Sequence, residues 1–283
     1  MERILLHAFA ALLYLCLGVY FWRTRVHRPA DNDPAQRWER AALLVALGFH
    51  GFLLYRELFV THPLRFGFGQ ALSVTLWLAV LVYWFESLFI RLQGMQALVL
   101  PIAALCAFVP GVYPGLVTPD YAQGVQFRAH LFVAMAAYSL FTLAALHALL
   151  MTLLENRLHR RPAHPAVDTN DDALHGPFAY LPPLLTLEAL LFRMLWGGFA
   201  LLTLTLVSGF FFSEALFNRP LQFNHKTVFA ILSWLIFAAL LIGRQVAGWR
   251  GRRALRWTLA GFATLLLAYV GSRFVLEALL GRT

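Results

Sequence analysis

The chain has 283 residues, 60% of them apolar and 13% charged, with a net charge of +9. Apolar stretches far longer than a soluble core helix needs exclude a soluble globular protein and indicate an integral membrane protein. The basic surplus sits in short connecting segments beside anionic headgroups, so it does not signal nucleic-acid binding, and Cys16 and Cys106 form no CxxC pair or disulfide framework.

About 20 apolar residues cross roughly 30 Å of hydrocarbon at about 1.5 Å per residue, and eight stretches meet that measure. The expected fold is therefore all-α: one polytopic transmembrane domain over residues 1–283 with eight membrane-spanning helices. The first, 4–22, is too long for a signal peptide, lacks a small-residue cleavage site and is followed by Arg23, Arg25 and Arg28, so it reads as a retained span. The second, 41–60, carries Arg56 and Glu57 near its end, and the third, 70–90, carries Glu86; interior pairing is expected for these charges. The fourth, 95–113, leads into "VPGVYPGLVTPDYAQG", whose prolines and glycines predict an irregular cap. The fifth, 129–154, precedes an inner loop at 155–193. Within it "RRPAHPAVDTNDD" is polar and turn-rich, whereas "FAYLPPLLTLEALLFR" suits a segment lying along the membrane surface. Spans at 194–213, 225–243 and 255–276 complete the chain, and no internal repeat is visible.

Arginines set the orientation. Residues 23–40 and 244–256 hold five each, and Arg91, Arg157, Arg160, Arg161 and Arg193 bring the total on one side to fifteen of 23 basic residues. Short basic loops stay cytoplasmic, so both termini are expected outside. Trp22, Trp38, Trp249 and Trp257 fall near inner helix ends as interface anchors, which leaves Trp77, Trp84, Trp196 and Trp234 as candidates to line an internal site.

Histidine is costly in hydrocarbon and tends to face the bundle interior. Of ten histidines, His27, His159, His164 and His175 belong to inner loops, and His7 carries no assigned role. His130 and His225 begin the fifth and seventh spans from outside, at similar height. His50 and His147 lie about 14 Å and 10 Å from the inner ends of their spans, forming a deeper pair. His130 and His147 are about 25 Å apart along one helix and cannot share a ligand atom. Two converging neutral imidazoles suit haem iron; zinc normally takes three or four protein donors, which the outer pair lacks. Hydrogen-bonded bridging between helices is the alternative role for the same histidines. Arg128 and Lys226, the chain's one lysine, each lie within two residues of an outer histidine and suit either a haem propionate or snorkelling to the interface.

Several segments resemble a known family. "KTVFAILSWLIFAALLIGR", Lys226 to Arg244, resembles the segment after the tryptophan-rich signature of the cytochrome c assembly proteins of CcsA/CcmC type, and "GFALLTLTLVSG", Gly198 to Gly209, is similar to the helix before it. "HLFVAMAAYSLFTLAA" from His130 is similar to the helix whose leading histidine is an outer haem ligand in that family, and "THPLRFGFGQALSVTLW" loosely resembles its third-helix motif. Where the family has its W-G-x-x-W-x-W-D tract this chain has "LFNRPLQFN", with His225 at the family's proline, a pattern similar to the YpjD/HemX-like branch. The resemblance implies a multi-pass protein of the bacterial inner membrane that binds or handles haem b and supports c-type cytochrome assembly. Of the site residues only His130 carries over directly, as an outer iron ligand, and Ile242 stands where the family has its deep histidine. His225 as the second outer ligand, Lys226 and Arg128 beside the propionates, and His50 and His147 at an inner site are expected from depth and spacing. No catalysis is required of it, and the expected partners are lipid and cytochrome c maturation proteins or apocytochrome c. A second reading is a regulatory or scaffolding membrane protein that acts through its basic inner loops without haem.

Overall fold

Hydrocarbon offers no partner to backbone N–H and C=O groups, so apolar runs of this length satisfy them within helices. The computed structural model describes residues 1–27, 35–60, 65–90, 92–118, 124–159, 183–217 and 225–268. Its helices are α1 (Glu2–His27), α2 (Ala35–Tyr55), α3 (Phe68–Ser87), α4 (Gln96–Val112), α5 (Val125–His159), α6 (Leu184–Phe217), α7 (His225–Ala247) and α8 (Gly251–Leu266). A single π-helical turn, Arg56–Val60, continues α2. The protein is an all-α, polytopic membrane protein. Six helices, all but α4 and α8, are long and apolar enough to cross a membrane.

Three boundaries differ from those expected. The inner loop is shorter than 155–193, because α5 runs on to His159 and α6 begins at Leu184. Nothing between Leu184 and Arg193 breaks a helix. Leu187, Leu190 and Leu191 are buried there, so residues 184–193 of the segment expected along the membrane surface are instead the packed start of α6, while 178–182 lie outside the described residues. "RRPAHPAVDTNDD" lies outside the described residues, as do 269–276 of the last span. The cap after α4 is not wholly irregular: β2 (Leu116–Val117) pairs antiparallel with β1 (Arg65–Phe66), Phe66 opposite Leu116. Gly115 makes this possible. Its φ is +73°, and a Cβ there would lie 2.6 Å from the Gly67 nitrogen.

Successive helices alternate in direction, and α5 is central, packed by α3, α6 and α8, while α4 joins α1 to α3. Small residues set the closest approaches. Gly18 faces Leu100 and Pro101, Gly198 lies under the Phe141 ring, and Gly261 lies under Phe237. Phe141 and Phe237 stack at 3.9 Å, tying α5 to α7.

The two ends of the bundle differ in chemistry. One, rich in arginine, is laced by Arg193–Glu86 at 2.8 Å, Arg244–Glu188 at 2.5 Å and Arg252–Glu155 at 3.4 Å. Glu86 is buried, but its partner Arg193 is largely exposed, so this pair lies at the bundle end rather than wholly in the interior. The other end gathers the first residues of α1, α3, α5 and α7, and most of the candidate site residues lie there.

Candidate functional site

His130 sits in the second turn of α5 and turns toward α6, with Nδ1 2.8 Å from Ser208 Oγ. Ser208 has one hydroxyl proton and donates it to Thr205 O at 3.1 Å. Ser208 therefore accepts from Nδ1–H of the neutral His130 ring, and His130 makes a further interaction besides. Gly209 leaves room for the ring; a Cβ there would lie 3.5 Å from His130 Cε1. His225 is exposed at the first residue of α7 and takes no part in this set, while Lys226 beside it is half-buried and makes an interaction of its own. Residues 218–224, which hold most of the "LFNRPLQFN" tract, lie outside the described residues.

Arg128 is two residues before His130, and residues two apart on a helix do not share a face. Accordingly it points the other way, its guanidinium carbon 5.6 Å from the centre of the Phe59 ring. Arg128 Nε is buried and has no hydrogen-bond partner among the described residues. An apolar cleft of about 290 Å³ lies on this side, floored by α3 and walled by α2 and α5. Trp77 is the one candidate tryptophan that lines it. The other three are placed differently: Trp84 donates to Arg40 O, Trp234 donates to Thr203 Oγ1, and Trp196 is half exposed.

The deeper histidines are both fully buried but differ in kind. His50 joins three helices, with Nδ1 3.2 Å from Tyr14 Oη on α1 and Nε2 2.8 Å from Ser73 Oγ on α3. Both of its nitrogens are engaged, so it acts as a strut. His147 donates Nδ1–H to Leu143 O, one turn back on α5, at 3.0 Å. Its Nε2 is buried and has no partner among the described residues. Using one ring N–H on a backbone carbonyl while the other nitrogen stays bare is the usual posture of a metal-ligating histidine. The structure does not bring His50 and His147 into one hydrogen-bonded set.

One constellation escaped the sequence reading. His7 on α1 donates Nδ1–H to Ala107 O on α4 at 3.0 Å, and its Nε2 lies 2.8 Å from Glu57 Oε1 in the π turn. Glu57 supplied the signal: a carboxylate at the apolar end of a span needs a partner at its own height, and His7 lies there. Among the described residues no three His, Cys, Asp or Glu side chains converge as a metal cluster.

Comparison with known proteins identifies the family. The family model described as Cytochrome C assembly protein matches residues 5–280. Inner membrane protein YpjD of Escherichia coli K12 is 31% identical over 172 residues, 61% of this chain and 59% of YpjD, so the chain spans about three fifths of that relative's length. An uncharacterized 28.8 kDa protein of Azospirillum brasilense is 27% identical over 99% of this chain and its own full length. Cytochrome c biogenesis protein CcsA of Prochlorococcus marinus strain MIT 9515 is 35% identical over 89 residues, 31% of this chain and 28% of that protein. With a family match running from residue 5 to residue 280 of an all-α membrane protein, the chain belongs to the cytochrome c assembly protein family.

Proposed function

We propose that this protein is a multi-pass inner-membrane protein that holds haem b in support of c-type cytochrome assembly. One observation carries the reading: His147, fully buried on α5, commits Nδ1–H to Leu143 O and keeps a buried Nε2 with no partner among the described residues. Family membership and the biogenesis role in the name of the CcsA relatives support it further. Haem, when bound, supplies an iron that accepts imidazole nitrogen and carboxylates that seek cations.

The protein's own residues divide the work. His130, oriented by Ser208, is the first outer ligand, and His225 at the start of α7 is the second. Lys226 serves the propionates; Arg128, turned to the opposite face of α5 beside Phe59, is left out of that set. His147 marks an inner site, whereas His50 remains with Tyr14 and Ser73. The apolar helix walls exclude water, and no bond-making step is asked of the protein. In this reading α4 and α8 complete eight spans with both termini outside, so the outer ligands face the compartment where maturation proteins or apocytochrome c would meet them.

The test is the visible spectrum of protein purified in mild detergent from haem-replete cells. The expected result is a Soret band that falls when His130→Ala or His225→Ala removes the outer ligand, with a separate loss on His147→Ala. A colourless preparation that takes up no added haem would overturn the proposal and leave the scaffolding reading, in which the basic inner loops recruit a protein partner.

A further inference from the structure

The cleft beside Arg128 is built from three helices. α2 and α5 each pack on α3, which leaves a lateral gap between them. Val74, Trp77 and Leu78 of α3 form the floor, and Tyr55, Phe59 and Phe132 stand at the sides. Those three aromatic side chains are more than half exposed on the outer surface of the bundle, so the gap opens sideways toward bilayer chains rather than into an aqueous vestibule.

Its lining is made apolar by position as well as by composition. Trp77 Nε1–H is drawn away from the cleft to Leu47 O at 2.8 Å, and the indole lies so flat on α2 that a Cβ on Gly51 would sit 2.8 Å from it. The cleft therefore meets the carbon face of the indole. Among the described residues no carboxylate and no histidine line the space, and Arg128 is the only charged group in it. A guanidinium half removed from water, with a buried Nε lacking a partner, is left short of one anion.

We propose that this cleft is a binding site for an anionic phospholipid, with one acyl chain along Trp77 and Leu131 and the headgroup phosphate on Arg128. The volume, about 290 Å³, falls at the lower edge of ordinary ligand pockets and suits a chain better than a macrocycle. Haem is a poor occupant. Met135 already accepts the Thr75 hydroxyl at its sulfur, at 3.7 Å, and both histidines of α5 face elsewhere, so an iron here would find no axial donor. A neutral lipid would leave the guanidinium uncompensated.

The site is independent of haem and is tested on protein from haem-deficient cells. Native mass spectrometry after titration with phosphatidylglycerol or chain-matched phosphatidylcholine should show one retained phosphatidylglycerol at about fivefold preference, as one arginine near an anionic headgroup provides. Arg128→Gln should abolish that preference and Arg128→Lys should keep it. Leu131→Trp, which fills the cleft, should release both lipids while thermal unfolding confirms a folded protein. Undiminished preference in Arg128→Gln, or undiminished retention in Leu131→Trp, would refute the assignment. So would a Soret band in haem-replete protein that depends on Arg128 while phosphatidylglycerol retention does not, since the cleft would then belong to a porphyrin carboxylate.

Discussion

Replacing His50 by leucine separates a strut from a ligand. The imidazole is fully buried and satisfies two other fully buried groups, the Tyr14 hydroxyl and the Ser73 hydroxyl. Leucine is close in volume, so packing changes little and the lost polar contacts dominate. Each hydrogen bond between membrane helices is worth about 0.6 kcal/mol on average. Ser73 can turn its hydroxyl back to a carbonyl in its own helix, but Tyr14, fixed by its ring, leaves a buried hydroxyl unsatisfied at about 1–3 kcal/mol. The sum is a destabilisation of about 2–4 kcal/mol. It is measured by unfolding in detergent with increasing SDS, following helix content, and the Soret band is recorded on the same samples. Adding Tyr14→Phe removes the orphan and should recover about half of the loss. No recovery in the double variant, or a Soret band lost with stability unchanged, would show that His50 is not the strut inferred from its contacts.

His147→Leu should behave oppositely. It removes a buried nitrogen without a partner, so the haem-free protein should be as stable as the parent or about 1 kcal/mol more so, while the inner haem signal disappears. Gly51→Ala should push Trp77 off Leu47 O, because the new methyl would meet the indole at 2.8 Å. The expected effect is about 1–3 kcal/mol in the same SDS titration. A smaller shift would mean that Trp77 moves freely.

Helix existence was legible in the chain because span length and hydrophobicity are local properties. α4 was placed to within a residue at each end, 95–113 against Gln96–Val112. Boundaries beyond the hydrocarbon were not legible. α6 extends back to Leu184 because Leu187 and Leu191 meet the bundle and Glu188 meets Arg244, and neither contact is visible in a stretch that also reads as surface-seeking. The site was legible by height but not by direction. Depth along a helix correctly grouped Arg128 with His130, yet two residues of helix turn them to opposite faces. The π turn that brings Glu57 to His7 has no pattern in the sequence, so the only sign of a role for His7 was an apolar-end carboxylate at its own height.

That π turn gives one helix end two allegiances. By carrying a single extra residue, Arg56–Val60 sends Glu57 toward α1 and α4 while Tyr55 and Phe59, stacked at 5.6 Å, stay on the side of α5. Deleting one residue there would restore an ordinary α turn, and both sets of contacts could not then be kept. The polar joint at His7 and the aromatic gate of the cleft are thus held in step by one helical insertion, and a change in either is mechanically audible to the other.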